Sequence, residues 1–473
     1  MKVLLTGANG YIGRRLKHLL LEADDVSLRL FVRNAKSVSP AVSGNVDIVE
    51  GNTFDTEALD RALEGVDVAY YLIHSMASGP DYRELDRKSA ENFREAAIRQ
   101  GVRTIIYLGG LGKKDGASEH LLSRIETGEV LSAKPDQIRT YWFRAGVILG
   151  SGSASFEIIR NLVQKLPVMI TPRWVETMAQ PIAVGDVVRY LNEARHLDMK
   201  ENQMIDIGSE QMSYREMMLG VARIMGLKRI MIPVPFLTPT LSSYWLGLFT
   251  PVPVSIASAL IEGLKCEVLR QNDLAYRLFA FKPVSFEDAV RKALAEIEEN
   301  QVVSRWSDSG GETWEHDHVR DIANALFMDR QRLPLAEDER QGVFESLMCL
   351  GGREGWFSYS FLWTVRGLFD KLLGGAGLNR GRRDACHVRI GDSVDFWKVV
   401  DVVEDERLLL FAQMKLPGKA WLEFKIEQNE LIQTAYFYPN GVWGRIYWYS
   451  MLPFHFFIFR DMVKQIVERG RKK

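Results

Sequence analysis

Cysteine is scarce, with only Cys266, Cys349 and Cys386 in 473 residues, 83 and 37 positions apart. That spacing excludes a disulfide framework and any Cys-x-x-Cys metal or redox pair, and it points to a reducing compartment. Excess charge of either sign is missing as well. The 60 Lys and Arg balance 61 Asp and Glu, so no long-range field draws in a polyanion and a nucleic-acid binder is not expected. The 16 Pro and 38 Gly follow no repeat period, which excludes collagen-like order. An apolar leader is also absent, because Val3-Leu4-Leu5 runs straight into Thr6-Gly7, so the start reads as a first strand and the expected location is the cytoplasm.

One long uncharged run occurs, from Ile230 to Ile261. Pro233, Pro235, Pro239, Pro251 and Pro253 break it below the roughly 20 residues a spanning helix needs. It reads as a buried substrate lobe or an apolar lip, which leaves peripheral membrane contact open but not a span. What is present is globular: 47% hydrophobic and 26% charged residues, on a chain long enough for roughly three units of about 150 residues.

Over residues 1–150, β-branched runs alternate with amphipathic windows. The spacing predicts strands at Lys2–Thr6, Val26–Val32, Val46–Glu50, Val68–Ile73, Arg103–Leu108 and Arg139–Leu149, with helices such as Tyr11–Glu22, Thr56–Leu63 and Arg83–Gln100 between them. This is an α/β pattern, a doubly wound parallel sheet of the Rossmann type. Residues 151–300 turn more helical and read as the rest of that domain with a small substrate lobe. Residues 301–342, including Trp314-Glu-His-Asp-His318, are charged and aperiodic, as a linker would be. Their two histidines lack a third spaced ligand, so no metal site is expected. A last domain is expected over 343–473, α+β, with six of the eleven tryptophans, a strictly alternating strand Leu422–Glu427 and a terminal helix started by Pro453.

Thr6-Gly7-Ala-Asn-Gly10-Tyr-Ile-Gly13 joins the first strand to the first helix. In that context backbone N–H groups and a helix N-terminus converge on a pyrophosphate, so the loop reads as a dinucleotide site. Gly7, Asn9, Gly10, Tyr11, Ile12 and Gly13 are the expected contacts. Arg33 stands twenty residues beyond Gly13, at the end of the second strand, where an acidic residue would bind a ribose hydroxyl and an arginine accepts a 2′-phosphate. Arg33, with Arg14 and Arg15 nearby, therefore points to NADP, as NADPH.

The glycine spacing resembles the short-chain dehydrogenase/reductase superfamily in its extended and atypical branches. Gly51-Asn52 stands where that superfamily has Gly-Asp beside adenine, and Tyr70-Tyr-Leu-Ile-His-Ser-Met76 resembles its fourth strand. Asn52, Ile73 and His74 join the implied cofactor contacts on that likeness. Arg144–Gly150 and Gln180–Val188 are similar to the later strand and motif of the extended branch. The first 300 residues are also similar to NmrA-like regulators and to the NADPH-binding accessory subunit of complex I. The whole chain resembles bacterial two-domain members whose C-terminal half is similar to the START/SRPBCC helix-grip fold, carried by Gly374–Leu378, Asp395-Phe-Trp397, Met414–Gly418 and Tyr447-Trp-Tyr449.

The resemblance implies a Tyr-x-x-x-Lys pair after the fifth strand, and the sequence departs there with His120-Leu-Leu-Ser-Arg124. His120 and Arg124 lie one turn apart, so histidine could supply the proton while arginine binds ribose or phosphate. A packing histidine is the alternative, as it is for His74. The resulting expectation is an NADP(H)-dependent oxidoreductase for a hydrophobic carbonyl or quinone-like compound. Its rival is a non-catalytic NADPH sensor or assembly factor whose C-terminal domain binds a lipid or partner. The aromatic C-terminal residues fit either a filled core or a cavity for a small hydrophobic ligand.

Overall fold

The computed structural model describes residues 1–35, 38, 46–74, 82–234, 262–263, 266–298, 325–352, 354–372, 382, 384, 386–427 and 429–472. The described residues up to 298 form one compact unit and those from 325 onward form another.

The first unit is organised by a seven-stranded parallel sheet. Its strands are β1 (Lys2–Thr6), β2 (Ser27–Val32), β3 (Asp47–Glu50), β4 (Val68–Tyr71), β5 (Thr104–Gly110), β6 (Arg139–Ala145) and, at one edge, Gln203–Ile207. From that edge inward, the order after Gln203–Ile207 is β6, β5, β4, β1, β2, β3. Strands buried on both faces need continuous apolar runs, and Val3, Leu4 and Leu5 are all fully buried. Leu5 and Leu30 pack into one cluster with Phe143 and Tyr190, while Leu4 packs on the opposite face with Phe93, Ala96 and Leu59. The order reverses at β1, between its neighbours β4 and β2, which is the crevice where open α/β sheets take ligands.

A smaller lobe gathers the helices Ala154–Lys165, Tyr214–Ile224 and Phe286–Glu298 around Phe156, Met217 and Val290. The start of the uncharged run is a strand, Ile230–Pro233, paired with Val168–Thr171; its residues 235–261 lie outside those described. Among the described residues no helix is long and apolar enough to cross a membrane.

The second unit is an antiparallel sheet of six strands, in the order Phe327–Pro334, Glu430–Pro439, Gly418–Glu427, Arg407–Ala412, Trp397–Val403 and Ser393–Val394. Met462, Val463, Ile466 and Val467 of the terminal helix pack on Leu408, Leu410, Leu422 and Phe424 of the sheet.

Three expectations change here. The stretch assigned to a linker ending at 342 contains the strand Phe327–Pro334 and the start of the helix Arg340–Leu347, so the second unit begins well before residue 343. Phe327–Pro334 is an edge strand, half-buried at every second residue, and the charges of Asp329, Arg330 and Arg332 that suit an edge hide its period. The terminal helix runs from Gly441 to Gly470 with Pro453 inside it rather than in its first turn. Pro453 is exposed, so the backbone bond it cannot make is lost on the solvent side. Finally, Cys349 and Cys386 are joined by a disulfide and Cys266 is free. Trp314–His318 and Gly374–Leu378 lie outside the described residues.

Candidate functional site

The glycine loop is held where β1 meets β4. Thr6 Oγ1 donates to the Tyr70 carbonyl at 2.9 Å and accepts the Leu72 N–H at 3.0 Å, tying the two strand ends together. Gly7 then turns at φ +65°, a conformation that favours glycine, and its carbonyl accepts the Gly10 N–H at 2.9 Å. A Cβ on Gly7 would stand 2.4 Å from the Leu72 carbonyl oxygen, and one on Gly13 would stand 2.1 Å from the Gly7 carbonyl oxygen. The helix opens at Tyr11 behind an extended Gly10 that offers no side-chain cap, so no cap competes with an anion for its first-turn amides. A tight, side-chain-free cradle at a helix N-terminus fits a dinucleotide diphosphate.

The neighbouring side chains divide into two groups. Tyr11 donates its hydroxyl to the Ser151 carbonyl at 3.2 Å, and burial pushes its pKa up to about 12, so the phenol is a structural strut. Arg15 is likewise spent on Ser151, at 2.8 Å to the carbonyl, and Arg14 on the Asn9 carbonyl at 3.0 Å. Ile12 and Ile73 are half-buried. Arg33, by contrast, is exposed at the end of β2 and has no ion-pair partner among the described residues. The Gly51 N–H donates to the Val32 carbonyl at 2.9 Å, which brings exposed Asn52 next to that strand end. Asn52 Oδ1 accepts the Phe54 N–H at 2.8 Å and shapes the turn.

Beyond β4 the two singled-out histidines meet. His74 Nε2 lies 3.1 Å from His120 Nδ1, and His74 Nδ1 lies 3.0 Å from Asp86 Oδ2, which also accepts the Ser123 hydroxyl at 2.8 Å. Asp86 belongs to the helix Tyr82–Arg99, while His120 and Ser123 belong to Glu119–Leu131, so the chain crosses between two helices and the end of β4. Burial, then His74 and Arg124, pushes the His120 pKa down to about 2; burial also lowers His74 despite the Asp86 carboxylate. At neutral pH both rings are therefore uncharged. Arg124 donates to the Leu108 carbonyl and Tyr107 to the Arg124 carbonyl at 2.9 Å, so this pair fastens the helix to β5.

Sequence reasoning singled out His74 and His120 separately and missed Asp86 and Ser123. A signal existed, because Asp86 falls four residues before Ala90 and seven before Phe93, on the buried stripe of its helix, where an unpaired charge would be costly. In the second unit the tryptophans do not share one wall. Trp397 packs with Trp356 and Phe396, Trp421 packs on Phe411 on the opposite face from Leu422, and Trp448 stacks between Phe327 and Phe437.

Comparison with known proteins follows these divisions. Residues 7–139 match the model of an NAD(P)H-binding family, and residues 322–462 match that of a protein family of unknown function, DUF2867. A (4-alkanoyl-5-oxo-2,5-dihydrofuran-3-yl)methyl phosphate reductase of Streptomyces griseus is 27% identical over 190 residues, 39% of this chain and 63% of the relative, so less than two thirds of that protein is spanned. Among solved structures, the triphenylmethane reductase of Citrobacter sp. is 19% identical with a TM-score of 0.51, over 62% of this chain and all of that one. The same likeness holds for that reductase complexed with NADP(H), and it is a likeness of fold. The first unit is thus a Rossmann-type parallel sheet whose residues 7–139 match an NAD(P)H-binding family, and the second is an antiparallel sheet whose chain matches DUF2867 over residues 322–462.

Proposed function

We propose that this chain is an NADP(H)-dependent oxidoreductase that reduces a hydrophobic carbonyl or quinone-like compound. The observation that carries the reading is that the glycine cradle after β1 and the buried Asp86–His74–His120 chain after β4 follow adjacent strands at the same sheet edge. When bound, the reduced nicotinamide supplies hydride. Gly7, Gly10 and Gly13 bind the diphosphate, Arg33 takes the 2′-phosphate, and His120 handles the proton. The reductase name of the Streptomyces relative supports the class of reaction.

The C-terminal domain is proposed as a helix-grip fold of the START/SRPBCC kind that receives a small hydrophobic ligand. Its six-stranded antiparallel sheet packed under the 30-residue helix Gly441–Gly470 supports that reading. The sensor alternative draws on the absent Tyr-x-x-x-Lys and on a histidine pair that is uncharged at rest. Calorimetric titration with NADPH and NADH, followed by NADPH oxidation against a carbonyl and quinone panel, separates the two. NADPH should bind at least about tenfold more tightly, the worth of one charge-assisted contact of about 1.5 kcal/mol, and Arg33→Ala should erase the difference. Tight binding without turnover of any panel compound favours the sensor.

A further inference from the structure

Four groups form an ordered line: Ser123 Oγ to Asp86 Oδ2 at 2.8 Å, Asp86 Oδ2 to His74 Nδ1 at 3.0 Å, and His74 Nε2 to His120 Nδ1 at 3.1 Å. Hydrogen-bond logic gives this line a direction. An ionised carboxylate only accepts, so His74 carries its proton on Nδ1. A neutral His74 then has a bare Nε2, which can only accept, so His120 must donate from Nδ1. His120 Nε2 is left as the acceptor at the open end of the line, with no partner among the described residues. The order matters, because a free neutral imidazole prefers its proton on Nε2, and both rings here are held in the opposite form.

We propose that Asp86 and His74 are positioning residues that lock His120 in its Nδ1–H tautomer, making His120 Nε2 the atom that exchanges a proton with the substrate oxygen. This rests on the oxidoreductase reading above. With NADPH bound, the cofactor would supply the hydride to the substrate carbon, and the oxygen would take its proton from Nε2 of a protonated His120. His120 returns to its neutral resting form, its Nδ1–H still bonded to His74, and the next reduction again draws a proton from solvent. In oxidation the neutral Nε2 accepts the hydroxyl proton. Asp86 and His74 change no bond in either direction. They fix the ring, and the Asp86 carboxylate favours its positive charge, the work that a buried carboxylate does for a histidine base elsewhere.

The groups facing this line are Arg124 one turn beyond His120, Glu119 beside it, Tyr107 and Tyr71 from the sheet, and Tyr82 and Arg83 from the helix that carries Asp86. Arg124 opposes a second positive charge and Asp86 favours it. The resting line therefore takes up its proton only on the acid side of neutrality, and reduction should accelerate as pH falls from 8 towards 5.

The test uses the full chain with nitrogen-15 histidine, read by NMR with no cofactor and no turnover required. Of the eight histidines, two should show a protonated Nδ1 and bare Nε2 at pH 7, and one of these signals should vanish in His120→Phe. Asp86→Asn offers an amide N–H to His74 Nδ1 in place of an acceptor, so both rings should switch to the Nε2–H form. If the wild-type rings are already Nε2–H, or if Asp86→Asn leaves them unchanged in a folded chain, the lock is overturned. A kinetic arm keeps the two readings apart. Asp86→Asn should lower kcat by roughly 10²–10⁴-fold with the KM for NADPH unchanged and reshape the acid limb of the pH profile. Expected tautomers with no turnover of any carbonyl or quinone overturn the oxidoreductase reading; turnover that ignores Asp86→Asn overturns the positioning role alone.

Discussion

In the parallel sheet of the first unit the central strands carry only apolar side chains between their ends, as in Val3-Leu4-Leu5, Val68–Tyr71 and Ile105–Leu108. The antiparallel sheet of the second unit instead buries Lys398, Glu423, Gln433 and Thr434 within its strands. The difference follows from what covers each sheet. Helices on both faces leave the central strands β1, β4 and β5 no room for polar groups except where they end, and there the glycine loop follows β1 and His74 follows β4; the charges this sheet does bury lie towards its sides, Arg29 on β2 and the Arg144–Asp206 pair between β6 and Gln203–Ile207. The second sheet has turns that close each hairpin and polar groups that pair across its face, such as Arg407 with Glu423 at 2.6 Å and Glu423 with Tyr436 at 2.8 Å. Polar groups at the centre of the first sheet therefore gather where strands end, whereas in the second they are woven into the sheet itself.

The sharpest way to separate the units is to fill the cradle. In Gly13→Val the new Cβ would press 2.1 Å against the Gly7 carbonyl oxygen, and since that atom is backbone the loop must open. NADPH binding should be abolished by calorimetry, while the near-ultraviolet circular dichroism of the second unit's buried tryptophans stays unchanged. Residual affinity within tenfold of wild type would mean that the loop is not the diphosphate site.

A smaller effect should be confined to the other unit. The Cys349–Cys386 bond closes a chain segment of 37 positions, a loop whose closure in the unfolded chain is worth about 4 kcal/mol. Cys349→Ser should lower the stability of the second unit by that order and leave NADPH affinity untouched. Thiol titration of the denatured chain without reductant should find one free cysteine, Cys266; three would mean that the bond does not form in the protein as made.

How much of this was legible follows the same division. The glycine loop is shaped by its backbone, so glycine positions after a strand were enough to place the turn, and the strands of the first sheet announced themselves by apolar runs. His74 and His120 were legible one by one, but their meeting depends on two helices crossing beside β4, which no local period encodes. Phe327–Pro334 was hidden because an edge strand next to Glu430–Pro439 tolerates charge at the positions that would otherwise show alternation. Pro453 misled for a physical reason too, since a proline inside a helix is costly unless, as here, it faces outward.

The smallest predicted effect is one of acid. His74 and His120 in the first unit, and His455 in the second, are all held below the usual histidine value by burial, His455 at about 4. For a group whose folded pKa lies below its unfolded value of about 6.5, the unfolded chain binds more protons as pH falls, so stability is lost on the acid side of 6.5. Between pH 7 and pH 5.5 His120 and His455 should each remove about 1 kcal/mol, and His74 acts in the same direction. The first unit should therefore lose more than the second, less any coupling within its pair. Asp186 and Asp395, whose carboxyls burial raises, act in the opposite sense at lower pH, which is why the window stops at 5.5. Denaturant titrations at the two pH values should show the second unit's loss nearly vanish in His455→Phe while the first unit's loss persists. A wild-type chain equally stable at both pH values would show instead that these rings reach water more freely than their burial implies.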